Sequence, residues 1–92
     1  MVEIRVAAPL RAHTQGSKVV YGEGTNVREV LDDIGRRFPG FRSGLFDSDG
    51  ALRQFVNIYV NDEDIRYLGN LSTPVSGADV VSILPAVAGG AS

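Results

Sequence analysis

Apolar and charged residues alternate at the start of the chain, in Val2-Glu3-Ile4-Arg5-Val6. A period of two marks a strand with one buried face, so Val2, Ile4 and Val6 point to a core and Glu3 and Arg5 to water. Pro9 to Gly16 has turn formers at both ends and reads as a loop. Ser17-Lys18-Val19-Val20-Tyr21 predicts a second short strand, and the short connection suits a hairpin. The period then changes. Val27, Val30, Leu31, Ile34 and Phe38 form one stripe at helical spacing, with Arg28, Asp32, Asp33, Arg36 and Arg37 on the other side. Asn26 is a favourable N-cap, and Glu29 three residues on suggests a capping box. Arg36 and Arg37 suit the negative end of the helix dipole, and Pro39-Gly40 stops the helix.

Phe41 to Arg53 reads as an irregular connection with one helical turn near Phe41–Leu45. Phe55-Val56-Asn57-Ile58-Tyr59-Val60 is strongly β-forming, with Val56, Ile58 and Val60 on one face and Phe55, Asn57 and Tyr59 on the other. Asn61-Asp62-Glu63-Asp64 predicts a turn of solvated acids, and Ile65-Arg66-Tyr67 a short edge strand. Gly69 to Gly77 reads as loop, anchored inward by Leu71 and Val75. Asp79 to Leu84 predicts the last strand, with Val81 and Ile83 inward and Val80, Ser82 and Leu84 outward. The element order suits an α+β domain: a mixed sheet of four to five strands with one main helix on one face. The first and last strands would lie parallel, which gives a β-grasp, ubiquitin-like arrangement among other α+β folds.

Composition narrows the function classes. With 92 residues and no internal repeat, the chain makes one domain. A net charge of −2 without a basic stripe argues against nucleic acid. No apolar run spans a membrane and no leader of signal-peptide type is present, so the expected location is cytoplasmic. The absence of cysteine excludes disulfides, thiolate metal sites and a cysteine nucleophile. The single histidine, His13, reads as a solvated loop residue, and Ser/His/Asp machinery or a histidine zinc site is not expected. Gly22-Glu23-Gly24 lacks the third glycine of a phosphate cradle, and Glu23 would repel an anion. Asp47-Ser48-Asp49-Gly50 opens like a calcium loop, but the later ligands do not follow, so a plain turn is expected.

The last strand runs into Leu84-Pro85-Ala86-Val87-Ala88-Gly89-Gly90-Ala91-Ser92. Pro85 removes a backbone donor, so sheet pairing should fade there. Beyond Val87 no side chain is large enough to anchor the chain, so residues 1–87 are expected to form the domain and 88–92 a flexible tail. Two glycines without Cβ let a backbone enter a narrow slot of another protein.

The stretch from Phe55 to Arg66, together with Gly77 to Gly90, resembles the prokaryotic ubiquitin-like sulfur carriers of the MoaD/ThiS family, most closely its CysO branch. The second half matches residue by residue; the first half matches mainly in pattern. This resemblance implies that the protein is a carrier and not an enzyme, with no bound cofactor. An E1-like enzyme would use ATP to adenylate the Gly90 carboxylate, and sulfur would displace AMP to leave a thiocarboxylate. It further implies a PLP-dependent cysteine synthase as sulfur acceptor and a JAMM-type metalloprotease as partner. Pro85, Val87, Gly89 and Gly90 would be the tail that partners recognise. Phe55, Tyr59, Val80 and Leu84, on the outer sheet face, are the candidate docking residues. Because Ala91-Ser92 follow Gly90, cleavage between Gly90 and Ala91 is expected before activation. Molybdopterin, thiamin or a secondary metabolite could replace cysteine as the product. A ubiquitin-like modifier joined through Gly90, or an interaction module with an inert tail, are readings of a different class.

Overall fold

The computed structural model describes residues 1–85; Val87, Gly89, Gly90 and Ala91, with the rest of the expected tail, lie outside the described residues. Five strands are present: β1 (Val2–Val6), β2 (Val19–Gly22), β3 (Val56–Val60), β4 (Glu63–Asp64) and β5 (Val80–Pro85). They form one mixed sheet in the order β2-β1-β5-β3-β4. β1 and β2 pair antiparallel as a hairpin, while β5 lies parallel to β1 and antiparallel to β3. The parallel pairing needs a long crossover, and everything between β1 and β5 supplies it.

The main helix, α1 (Val27–Arg37), packs its apolar stripe on the inner sheet face. Val27, Val30, Leu31 and Ile34 are buried with Ile4, Ile58, Val81 and Ile83 from the strands. Asn26 caps the helix as expected, its side chain accepting the Glu29 amide at 2.8 Å. The reciprocal half of the capping box is shifted by one residue. The Glu29 carboxylate takes the Thr25 amide and hydroxyl, both at 2.8 Å, and these bonds hold its pKa below the usual range. A second helix, α2 (Phe41–Leu45), buries Phe41 and Leu45 against the same core.

Four local expectations need correction. Pro9 to Gly16 is not a plain loop: Ala8–Thr14 form a 3₁₀ helix with Pro9 in the first turn, where its missing N–H costs nothing. Leu10 and Thr14 anchor this segment, and the buried Thr14 hydroxyl donates to the Ser17 carbonyl at 2.9 Å. His13 is half-buried rather than solvated, because its ring lies against the Cα of Gly44 in α2. The edge strand is Glu63–Asp64, and Ile65–Tyr67 instead form a 3₁₀ turn capped by Asp64, which accepts the Arg66 amide at 2.8 Å. The strand after the 49–54 loop begins at Val56; Phe55 lies in a turn closed by the Val56 amide on the Arg53 carbonyl at 3.1 Å. The Asp47 to Gly50 stretch is a turn, with Asp47 Oδ1 accepting the amides of Asp49 and Ala51.

Candidate functional site

The site is the end of β5 and the outer sheet face around it. β5 is the central strand. Its buried residues Val81 and Ile83 fix its register, and Pro85 stands opposite Val56 of β3. The ladder alternates. Ala7 donates to the Ile83 carbonyl at 3.0 Å, so odd residues of β5 turn their backbone groups to β1 and even ones to β3. The ring nitrogen of Pro85 therefore faces the side on which β1 has already given way to the 3₁₀ helix. Proline costs no ladder bond there, and β5 stays paired with β3 to its last described residue. Pairing thus extends one residue beyond the strand end expected from the sequence.

The outer face is legible from the register. Leu84 stands opposite Asn57, Ser82 lies between Arg5 and Tyr59, and Val80 is beside Glu3. Leu84 and Phe55 are exposed, at 37% and 51%, and both lie at the Pro85 end of β5, since Phe55 precedes Val56, the partner of Pro85. Tyr59 is half-buried in the middle of the face. Val80 is half-buried at the opposite end, where its amide donates to Asn61 Oδ1 at 3.0 Å. Tyr59, Val80 and Leu84 therefore share a face, while Phe55 stands in the turn before β3; of the four, Phe55 and Leu84 lie at the Pro85 end of β5.

Sequence reasoning missed the groove next to Leu84. It has a volume of about 280 Å³ and runs between Arg11 and Lys18 on one side and Ser82 and Leu84 on the other, with Arg5 at its rim. Arg11 is fixed by donating to the Val6 carbonyl at 2.9 Å. Arg5 pairs with Glu3 at 2.6 Å on the same face, an exposed pair that aims the guanidinium and contributes little stability. Exposed Val19 and Tyr21 of β2 extend the apolar part of the surface. The signal was present in the outward positions of β1 and β2. Assembling it required the register, which places residues from three strands, β2, β1 and β5, side by side.

The turn expected to hold solvated acids is more ordered than that. Asp64 is buried, and its carboxylate receives Arg66 Nη2 at 2.6 Å. Hydrogen bonds from the Arg66 side chain, then its amide, lower the Asp64 pKa against the effect of burial. Among the described residues, no group of three or more His, Cys, Asp or Glu could hold a metal ion. No helix among them is long and apolar enough to cross a membrane.

A small β-grasp fold whose central strand β5 is described to Pro85, followed by Gly89-Gly90 in the sequence, matches the family model described as the ThiS family over residues 4–90. The chain belongs to the ThiS family. It is 45% identical to the sulfur carrier protein CysO of Mycobacterium tuberculosis, covering 97% of this chain and 98% of the relative. It is 30% identical to a putative sulfur carrier protein of Archaeoglobus fulgidus, over 97% of this chain and 98% of that one. A chain in the crystal structure of the Amycolatopsis orientalis BexX/CysO complex superimposes with a TM-score of 0.86 at 42% identity, covering 98% of this chain and all of that one. The β-grasp fold, which the strand and helix pattern suggested among other α+β folds, is thus matched in element order and in three dimensions.

Proposed function

We propose that this ThiS-family protein carries sulfur as a thiocarboxylate on Gly90 and delivers it in biosynthesis, with cysteine as the product. The observation that carries the reading is the 45% identity, over nearly the full length, to a protein named sulfur carrier protein CysO. In this reading the Gly90 carboxylate attacks the α-phosphate of ATP on an E1-like enzyme and releases pyrophosphate. The resulting acyl adenylate is a mixed anhydride. Sulfide attacks its carbonyl carbon, AMP leaves, and the thiocarboxylate remains. A persulfide donor would first form an acyl disulfide, from which a second thiol of that donor releases the thiocarboxylate as the thiol and the donor sulfur become a disulfide. The carrier supplies no catalytic group, so ATP and the acceptor's PLP belong to partner enzymes.

The chain's own contribution is presentation. β5 is held on both sides for most of its length, so the residues after Pro85 start from a fixed point. Leu84, Phe55 and Tyr59, with the Arg11–Lys18 groove, offer partners a surface beside that point. The occurrence of a 42%-identical chain in a BexX/CysO complex supports docking to a partner protein. Because Ala91-Ser92 follow Gly90, the carboxylate is freed by hydrolysis of the Gly90–Ala91 bond, with a JAMM-type metalloprotease as the proposed peptidase. Residues 88–92 act as the presented tail.

The experiment compares the full chain with one ending at Gly90, each incubated with ATP and the cognate activating enzyme. Pyrophosphate release from the shorter chain alone supports the proposal. Equal release from both places activation at Ser92 and overturns it. A second reading draws on the 29% identity to small archaeal modifier protein 3 of Haloferax volcanii. Here Gly90 would be joined to lysines of other proteins, and isopeptide-linked conjugates in native cells would be its signature.

A further inference from the structure

The far edge of the sheet, away from the groove beside Leu84, is only half closed. β4 pairs with β3 at Tyr59 and Val60 and then ends. The backbone groups of β3 can be followed by alternation. The Asn61 amide donates to the Val80 carbonyl at 2.9 Å, so odd residues of β3 turn toward β5 and even ones toward the outer edge. The Val56 amide is taken by Arg53 in the preceding turn. The Val56 carbonyl and the Ile58 amide are left facing outward, one residue apart, with no hydrogen-bond partner among the described residues. That pair is what one residue of an added extended chain uses: its carbonyl accepts from Ile58 and the backbone amide paired with it donates to Val56.

The space in front of this edge is a cleft of about 500 Å³. Leu52, Ile65 and Leu71 give it apolar walls, and Arg28, Arg53 and Arg66 stand around it. Arg66 is neutralised by Asp64. Arg28 projects exposed from α1 with no ion-pair partner among the described residues, and Arg53 has only a backbone partner, the Ser43 carbonyl at 2.9 Å. Asp49 is the remaining acid at the rim. In a chain of net charge −2, this cleft is locally cationic. The opposite edge of the sheet differs: Arg37 donates to the Tyr21 carbonyl, and Asp33 accepts the Glu23 amide, so α1 partly covers β2.

We propose that the open β3 edge binds an extended, acidic segment of a partner protein, which adds to the sheet beside Asn57. The backbone pair at Val56 and Ile58 sets the register, apolar side chains enter between Leu52 and Leu71, and flanking carboxylates meet Arg28 and Arg53. An open strand edge accepts many sequences, so the arginines supply the selectivity. Val56 stands opposite Pro85, so this edge lies one strand away from the last described residue of β5.

The test is an NMR titration of the full chain with an acetylated heptapeptide, Val-Ile-Val at its centre and two aspartates on each side. The expected result is a shift and slowed hydrogen exchange of the Ile58 amide, with the β1 and β2 amides unmoved. Arg28→Glu, an exposed change that leaves the fold intact, should weaken binding at least about tenfold, and raised salt should weaken it further. A peptide with lysines in place of the aspartates should not bind. The proposal is overturned if Ile58 does not respond, or if the lysine peptide binds as well. It is also overturned if Ile58 is protected at high protein concentration without peptide, since a second copy would then be the occupant.

Discussion

Asn61 grips Asp79 across the start of the last strand: its Nδ2 donates to Asp79 Oδ1 at 2.8 Å, and its Oδ1 accepts the Val80 amide at 3.0 Å. Asn61 and Asp62 also hold φ of 50° and 72°, the left-handed pair of a two-residue hairpin turn. Asn61 therefore fixes both the β3–β4 turn and the entry of β5. Asn61→Ala loses two side-chain bonds and the residue type that tolerates this backbone. It is expected to destabilise by about 1–3 kcal/mol, measured by urea unfolding. A change below about 0.5 kcal/mol would mean that β5 is positioned by its apolar register alone.

Asp33 ties α1 to the end of β2. Its carboxylate accepts Arg37 at 2.7 Å, Arg36 at 3.0 Å and the Glu23 amide at 3.0 Å. The Arg37 bond first, then the Glu23 amide, lowers its pKa from 3.8 to about 2. The folded-state value lies below the unfolded one, so this contribution is complete above the unfolded pKa and fades as pH falls through about 2. Asp33→Asn should lower the melting temperature at neutral pH, and the gap from the parent should close between about pH 4 and about pH 2. A gap independent of pH would assign the loss to packing instead.

Gly22 marks the closest approach of β2 to α1. A Cβ there would stand 2.8 Å from both the Val30 carbonyl oxygen and Val30 Cγ1. Backbone cannot yield as a flexible side chain can, so Gly22→Ala should cost about 1–3 kcal/mol and spread the hairpin from the helix. Thermal melts with the exposed control Ser76→Ala on the same footing would check it.

The architecture was legible in the sequence because its strands and main helix bury one face each. Val2, Ile4 and Val6, the Val27 to Ile34 stripe and Val81 with Ile83 all lie inward where periodicity placed them. The misread segments have too few apolar residues to show a period. In Ala8–Thr14 the anchors are Leu10 and a hydrogen-bonded threonine. Ile65–Tyr67 carries strand-forming residues but is turned by the Asp64 cap. The outer sheet face was half legible: alternation placed Leu84 and Tyr59 outward, while the groove by Arg11 and Lys18 joins them only through the strand order.

Leu84 and Tyr59 lie on the surface proposed to meet the activating enzyme. Leu84→Ala and Tyr59→Ala should raise KM for the carrier by about tenfold each, with kcat little changed. Melting temperatures should fall by no more than about 5 °C. Unchanged KM in both variants would move the docking surface off this face.

Sulfur carriage on Gly90 is most directly tested by the intact mass of the protein recovered from its native cells. The account predicts a chain ending at Gly90 with one carboxylate oxygen replaced by sulfur. A population that keeps Ala91-Ser92 throughout, with no sulfur-bearing species under sulfur-demanding growth, would contradict it.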